Sequence, residues 1–220
     1  TVLDNIVPTI TAQANIATTT NTACTATGLA LGTPTTGDNC SVASVTNNAP
    51  AAFPLGNTTV TWTVTDSSGN TATATQLVTV TDNAKPTISC SANISQNVGA
   101  GSCTASVIIP NPTIADNCSV TKLTWVLTGA TAASSAATGI NNIGTRVFNL
   151  GVTTITYIVT DAANNTATCS YTVTITDNIN PTITCPLNMS ANTSASCTAS
   201  VVTPNPTFAD NCSVTKLTWA

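Results

Sequence analysis

The sequence predicts an all-β fold arranged as tandem β-sandwich domains, and three observations carry that prediction. Threonine and valine are abundant while charged residues make up only 5%, against about 25% in a typical soluble domain. β-Branched side chains suit a pleated, half-buried surface. Several stretches alternate apolar and polar residues with a period of two, and none has helical periodicity. Finally, three blocks of sequence recur in the same order, so one sandwich-sized unit is repeated.

The recurring blocks set the domain boundaries. Asp4-Asn5-Ile6-Val7-Pro8-Thr9-Ile10 is matched at Asp82–Ile88 and again at Asp177–Ile183. Asp-Asn-Cys-Ser-Val occurs at Asp38–Val42, Asp116–Val120 and Asp210–Val214. Leu55–Asp66 is matched by Leu150–Asp161. Residues 1–3 therefore read as the tail of a preceding repeat, 4–81 as repeat one, 82–176 as repeat two and 177–220 as a severed third. The natural protein is expected to be much longer. Repeat one is shorter because it lacks most of Gly129–Thr145, an Ala-, Ser-, Thr- and Gly-rich stretch that reads as a loop insertion.

Within a repeat the strands follow from alternation. Val60, Trp62 and Val64 face one way between threonines, as do Ile155, Tyr157 and Val159. Asp66–Asn70 and Asp161–Asn165 then read as hairpin turns into a second alternating strand. Leu123, Trp125 and Leu127 share the face of another strand. A core Trp on a middle strand, in units of about 80 to 95 residues, fits an immunoglobulin-like Greek-key sandwich. In repeat one this Trp is missing and Trp62 stands where repeat two has Tyr157.

Nine cysteines without a single His, and without any Cys-x-x-Cys, argue for disulfides in an oxidising compartment rather than zinc. Comparing the repeats suggests a pairing. Repeat one keeps Cys24 and Cys40 but has Ala12 and Ala74 where repeat two has Cys90 and Cys169. Two cysteines lost together imply one lost bond. The expected disulfides are Cys24–Cys40, Cys90–Cys169, Cys103–Cys118 and Cys197–Cys212, with Cys185 unpaired.

All eight acidic residues are Asp, and each occupies a repeated motif position. Their bland role is to cap turns by accepting bonds from backbone N–H groups two residues on. The sharper role is calcium binding at the junctions between repeats, with Asp4, Asp82, Asn83, Asp177 and Asn178 as candidate ligands. No cofactor is otherwise expected.

The same composition excludes several classes of function. The net charge is −4, and four cations (Lys85, Lys122, Arg146 and Lys216) cannot neutralise a row of phosphates, so no nucleic acid is expected. No apolar run approaches the roughly 20 residues of a membrane span, so this segment has no membrane partner. Without His or Glu the usual general bases are reduced to Asp, Lys, Tyr and Cys, and no phosphate loop or nucleophile elbow occurs. The chain is therefore read as a non-enzyme.

Taken together, the blocks resemble the hyalin repeat (HYR) family. They are Asp-Asn…Pro-Thr-Ile-x-Cys, Ser-Cys-Thr-Ala-Ser-Val, Asp-Asn-Cys-Ser-Val and Val-Thr-Asp-x-x-x-Asn-Thr-Ala-Thr-Cys. The likeness covers essentially all of the chain, and repeat one departs from it by lacking the outer cysteine pair. It implies an immunoglobulin-like fold and extracellular adhesion. Thr/Ala-rich versions in long arrays are similar to the giant surface adhesins of gliding or predatory bacteria related to flavobacteria. The expected function is thus a structural or adhesive stalk in a cell-surface fibre or adhesin filament, secreted to the bacterial surface. Its expected partners are neighbouring repeats, other copies of the chain in a bundle, and a host or prey cell surface reached through regions outside this segment. The alternative is a ligand-binding module that takes glycans or ice on threonine-rich strand faces such as Thr59, Thr61, Thr63 and Thr65.

Overall fold

The structure, a computed structural model, describes residues 3–218, so most of the expected tail at 1–3 and Trp219 lie outside the described residues. Every regular element among them is a strand. Packing divides the chain into two compact units. One comprises the chain up to Ile88 together with Ile114–Lys122 and Val159–Ala167; the other comprises Ser89–Thr113, Leu123–Ile158 and the chain from Thr168.

In repeat one the strands are β1 (Thr9–Thr11), β2 (Ile16–Thr19), β3 (Thr25–Thr27), β4 (Thr35–Gly37), β5 (Val42–Asn47), β6 (Ala52–Pro54), β7 (Gly56–Asp66) and β8 (Thr71–Thr81). One sheet runs β2-β8-β7-β5, and the smaller pairs are β3-β6 and β1-β4. β2 lies parallel to β8, with Ile16 opposite Val78, and β7 and β8 form a long antiparallel hairpin. The alternation places Val60, Trp62, Val78 and Val80 inward against Ala26 and Phe53. The other face carries a threonine ladder, Thr61 opposite Thr75, Thr63 opposite Thr73 and Thr65 opposite Thr71. The hairpin turn requires a left-handed backbone at its fourth position. Gly69 (φ 92°) supplies it here and Asn164 (φ 71°) supplies it in repeat two.

Repeat two contains β9 (Thr87–Ser89), β10 (Ile94–Asn97), β11 (Thr104–Ile109), β12 (Thr113–Ala115), β13 (Val120–Gly129), β14 (Ala133–Ser134), β15 (Gly144–Asn149), β16 (Gly151–Asp161) and β17 (Thr166–Thr176). Its sheet order is β10-β17-β16-β13-β14, with β10 parallel to β17 and β11 antiparallel to β15. Leu123, Trp125, Leu127, Phe148, Ile155, Tyr157 and Tyr171 are buried.

The insertion read as a loop is more ordered than that. β14 pairs with Val126 and Leu127, Ser135 Oγ accepts the Trp125 N–H at 3.0 Å, and Asn141 Nδ2 donates to Leu123 O at 3.0 Å. It lies along the β13 edge, whose backbone groups would otherwise need another partner.

Repeat three contributes β18 (Thr182–Thr184) paired with β19 (Thr207–Ala209). This pairing has the same form as β1 with β4. Each repeat therefore pairs its opening Pro-Thr-Ile strand with the short strand before Asp-Asn-Cys, and this pairing positions the candidate site.

Candidate functional site

The antiparallel pair β1-β4 sets Thr9 opposite Gly37, so the segment before β1 and the loop after β4 emerge side by side. Asp4 is on the first and Asp38 on the second. The β7-β8 hairpin brings a third carboxylate, because Asn70 Nδ2 donates to Asp4 O (3.1 Å) and Ile6 O (3.3 Å). As a result Asp4, Asp38 and Asp66 present carboxylate oxygens all within 4.8 Å of one another. Repeat two builds the same trio from Asp82, Asp116 and Asp161, where Asn165 Nδ2 donates to Asp82 O at 3.2 Å.

In Asp4, Asp38, Asp82 and Asp116 only one carboxylate oxygen is engaged by hydrogen bonds, whereas both oxygens of Asp66 and Asp161 are engaged. Asp38 Oδ2 accepts the N–H groups of Cys40 and Ser41, and Asp116 Oδ2 those of Cys118 and Ser119, all at 2.9–3.0 Å. Asp82 Oδ1 accepts from Ala84 N and Asn117 Nδ2, both at 3.1 Å. The second oxygens, Asp4 Oδ2, Asp38 Oδ1, Asp82 Oδ2 and Asp116 Oδ1, are buried without any donor. The hydrogen bonds to the six carboxylates come from neutral groups: backbone N–H groups, Asn amides, the Thr20 hydroxyl and the Cys40 thiol. A buried oxygen left unpaired costs free energy, and a hard cation is the partner that fits clustered carboxylates.

Asp66 is almost wholly buried. Burial would raise its pKa, but bonds from the Asn70 side chain and from the N–H groups of Asn70, Ser68 and Gly69 outweigh this. They hold the carboxyl below its ordinary value of 3.8. Beside the first trio, the Cys40 thiol is pushed above its ordinary pKa by a hydrogen bond to Asp4 and by the Asp4 charge.

The structure adds carboxylates to the candidate ligand set. Asp4 and Asp82 each enter a trio, but their companions are the Asp of Asp-Asn-Cys and the Asp of the hairpin. Asn83 and Asn178 are exposed. Asp177 Oδ1 accepts from Ile179 N and Asn211 Nδ2, and Asp210 keeps one unpartnered buried oxygen, so the third junction holds two of the three carboxylates. The signal was in the sequence: each complete repeat has one Asp in each of three motifs.

The cysteine scheme is corrected. Cys24 is joined to Cys118 and Cys103 to Cys212, in place of the expected Cys24–Cys40, Cys103–Cys118 and Cys197–Cys212. Cys90 is joined to Cys169, and Cys40, Cys185 and Cys197 are free and exposed. Strand direction is the reason. The Cys40 loop is tied to Asp4 through Asn39 Nδ2, whereas the Cys24 loop is tied to Asp82 through Thr20, whose N–H donates to Thr81 O and whose hydroxyl reaches Asp82 Oδ1. The two cysteines of one repeat thus sit near its opposite junctions. Cys24 is joined instead to Cys118 of the next repeat and Cys103 to Cys212 of the one after, with Cα–Cα distances of 4.7 Å and 4.9 Å.

The model of the HYR domain family matches residues 3–80 and again 81–175. The chain belongs to the HYR domain family. Two relatives named Hyalin are similar to it. That of Strongylocentrotus purpuratus is 34% identical over 64% of this chain and 11% of the relative; that of Lytechinus variegatus is 35% identical over 64% of this chain and 25% of the relative. The HYR chain thus spans a tenth to a quarter of the length of these relatives. Among solved structures, human mucin-like protocadherin EC1-2 matches 77% of the chain and 98% of its own (TM-score 0.38, 12% identity). The fibronectin(III)-like modules of Clostridium thermocellum CbhA match 77% and 95% (TM-score 0.32, 16% identity).

Proposed function

We propose that this HYR chain is part of an extracellular adhesion array whose repeat junctions each bind one calcium ion. The observation that supports this most is the donorless, buried carboxylate oxygens in two equivalent Asp trios. Calcium takes about six to eight oxygen ligands, so three carboxylates would supply the charge while carbonyls and water complete the shell. Asp4, Asp38 and Asp66 would hold one ion, and Asp82, Asp116 and Asp161 another. Bound there, calcium would neutralise the trio and lock the opening segment, the Asp-Asn-Cys loop and the hairpin turn to one another.

The wider reading is a structural or adhesive stalk in a cell-surface fibre or adhesin filament. Tandem HYR repeats, disulfides that need an oxidising compartment, and threonine-faced sheets with few charges all support it. Recognition of a host or prey surface would fall to other regions of the protein.

The test is a calcium titration followed by calorimetry and thermal melting. Two sites per chain are expected, and calcium at 100 times its dissociation constant should stabilise by about 2.7 kcal/mol per site. Asp82→Asn combined with Asp116→Asn should abolish one site and leave the other. Identical melting in calcium and in chelator, with no heat of binding, would sink the proposal.

A further inference from the structure

The second Asp trio is held together by the same contacts that hold a disulfide. Asp82 is 6% exposed and keeps a donorless buried oxygen within the cluster, as does Asp116. The loop that carries Cys118 positions both. Asp116 Oδ2 accepts the Cys118 and Ser119 N–H groups, each at 3.0 Å. Asp82 Oδ1 accepts from Asn117 Nδ2 at 3.1 Å and from the Thr20 hydroxyl at 3.4 Å.

The Asn117 amide also donates to Ala23 O at 3.3 Å and lies 3.4 Å from Cys118 Sγ. Ala23 immediately precedes Cys24, and Cys24 is bonded to Cys118. The disulfide thus closes a ring of contacts. Thr20 reaches Asp82 from the Cys24 side, and Asn117 reaches it from the Cys118 side. Both cysteines are only half-buried, so a small reductant can reach the bond.

The geometry points to a redox-gated calcium site, in which opening the Cys24–Cys118 bond weakens calcium binding at Asp82, Asp116 and Asp161. This rests on the calcium reading of that trio and adds its regulation. The reductant is a small dithiol such as dithiothreitol. It gives two electrons and two protons to the S–S bond, which becomes two thiols, and itself closes to a cyclic disulfide. The Cys118 loop then loses its covalent tether, and Asp116 and Asn117 gain conformational freedom. Ordering them again costs calcium part of its binding energy. The effect is reciprocal: calcium that prefers the disulfide form makes the bond harder to reduce by the same factor.

The test uses the chain with Asp4→Asn and Asp38→Asn, which silence the first trio. Cys40→Ser, Cys185→Ser and Cys197→Ser remove the free thiols that could exchange. Calorimetry should find one calcium site in this chain. Adding Cys24→Ala with Cys118→Ala should weaken that site about tenfold, a usual size for coupling between two sites. Adding Cys90→Ala with Cys169→Ala instead should leave it nearly unchanged, because that bond positions none of the three carboxylates. The second readout is a dithiothreitol redox titration, followed by alkylation and peptide mapping. Calcium that saturates both forms should lower the potential of the Cys24–Cys118 pair by about 30 mV, which is tenfold for two electrons. Equal calcium affinity with and without Cys24–Cys118, or a potential that calcium does not move, would overturn the gate and leave the calcium site standing. An equal loss on removing Cys90–Cys169 would also overturn it, as general loosening. No binding to any of these chains would remove the calcium reading of this trio and the gate with it.

Discussion

Repeat one and repeat two tie the same two segments together by different chemistry. In repeat two, Cys90, just after the opening strand, is bonded to Cys169 on the last strand. Repeat one has Ala12 and Ala74 at those places. Its last strand carries Gln76 instead, 1% exposed, where repeat two has Tyr171. Gln76 Nε2 donates to Ala14 O (2.8 Å) and Leu31 O (3.2 Å), and its Oε1 accepts from Trp62 Nε1 at 3.2 Å. One amide therefore fastens the opening segment to the last strand and also satisfies the indole that replaces Tyr157. A second tie is common to both repeats: Leu77 N donates to Asn15 Oδ1 and Thr172 N to Asn93 Oδ1, each at 2.9 Å. The difference teaches that the segment after the opening strand must be pinned, and that a saturated buried amide can take the place of the covalent bond.

The sharpest way to break this comparison is to remove each tie in turn. Cys90→Ala with Cys169→Ala should destabilise repeat two by about 4.5 kcal/mol, the chain-entropy value for a closed loop of this size. It should leave the repeat one transition unmoved in a two-transition denaturation curve. Gln76→Ala should cost repeat one about 2–3 kcal/mol, because it orphans the buried Trp62 N–H and two carbonyls. The comparison is sharpened by adding Ala12→Cys and Ala74→Cys to the Gln76→Ala chain. If the amide and the disulfide are alternatives, the new bond should restore most of the loss. No rescue, with the disulfide shown to have formed, would mean that Gln76 acts through Trp62 alone.

Much of this was legible in the sequence, and the part that was not has a physical cause. Alternation located β7, β8, β16 and β17 because each has one buried and one threonine-lined face. The insertion was misread because Gly, Ala and Ser at 129–145 look like loop residues, whereas β13 needed an edge partner and recruited Ser134, Ser135 and Asn141. The cysteine pairing was misread for a more general reason. In a periodic chain, a bond within each repeat and a bond between successive repeats use the same residue types in equal numbers, and only strand direction separates them. Cys24 and Cys40 are near in sequence, but the intervening strands carry them to opposite junctions. The Asp trios were half legible. The motif positions were evident, but one oxygen of each capping Asp sufficed to explain the turn, and what the second oxygen faces emerges only in three dimensions.

The smallest expected effect concerns the hairpin that completes the first trio. Asp66 has its pKa lowered in the folded state, so its contribution to stability is fully present above the ordinary value of 3.8. That contribution is lost as pH falls below 3.8 through the depressed folded value, because the unfolded chain takes up the proton first. In chelator, repeat one should therefore lose stability on acidification below about pH 4, and Asp66→Asn should flatten that decline. The amide of the variant keeps an acceptor for Ser68 N and Asn70 N but sets a donor against Asn70 Nδ2, so it should also be less stable at neutral pH. Calcium at the trio would hold the carboxylate charged to lower pH still. Adding it should move the acid limb downward in the parent chain and leave the limb of Asp66→Asn nearly unmoved. If both chains shift equally, the acid response arises elsewhere and Asp66 is only a turn cap.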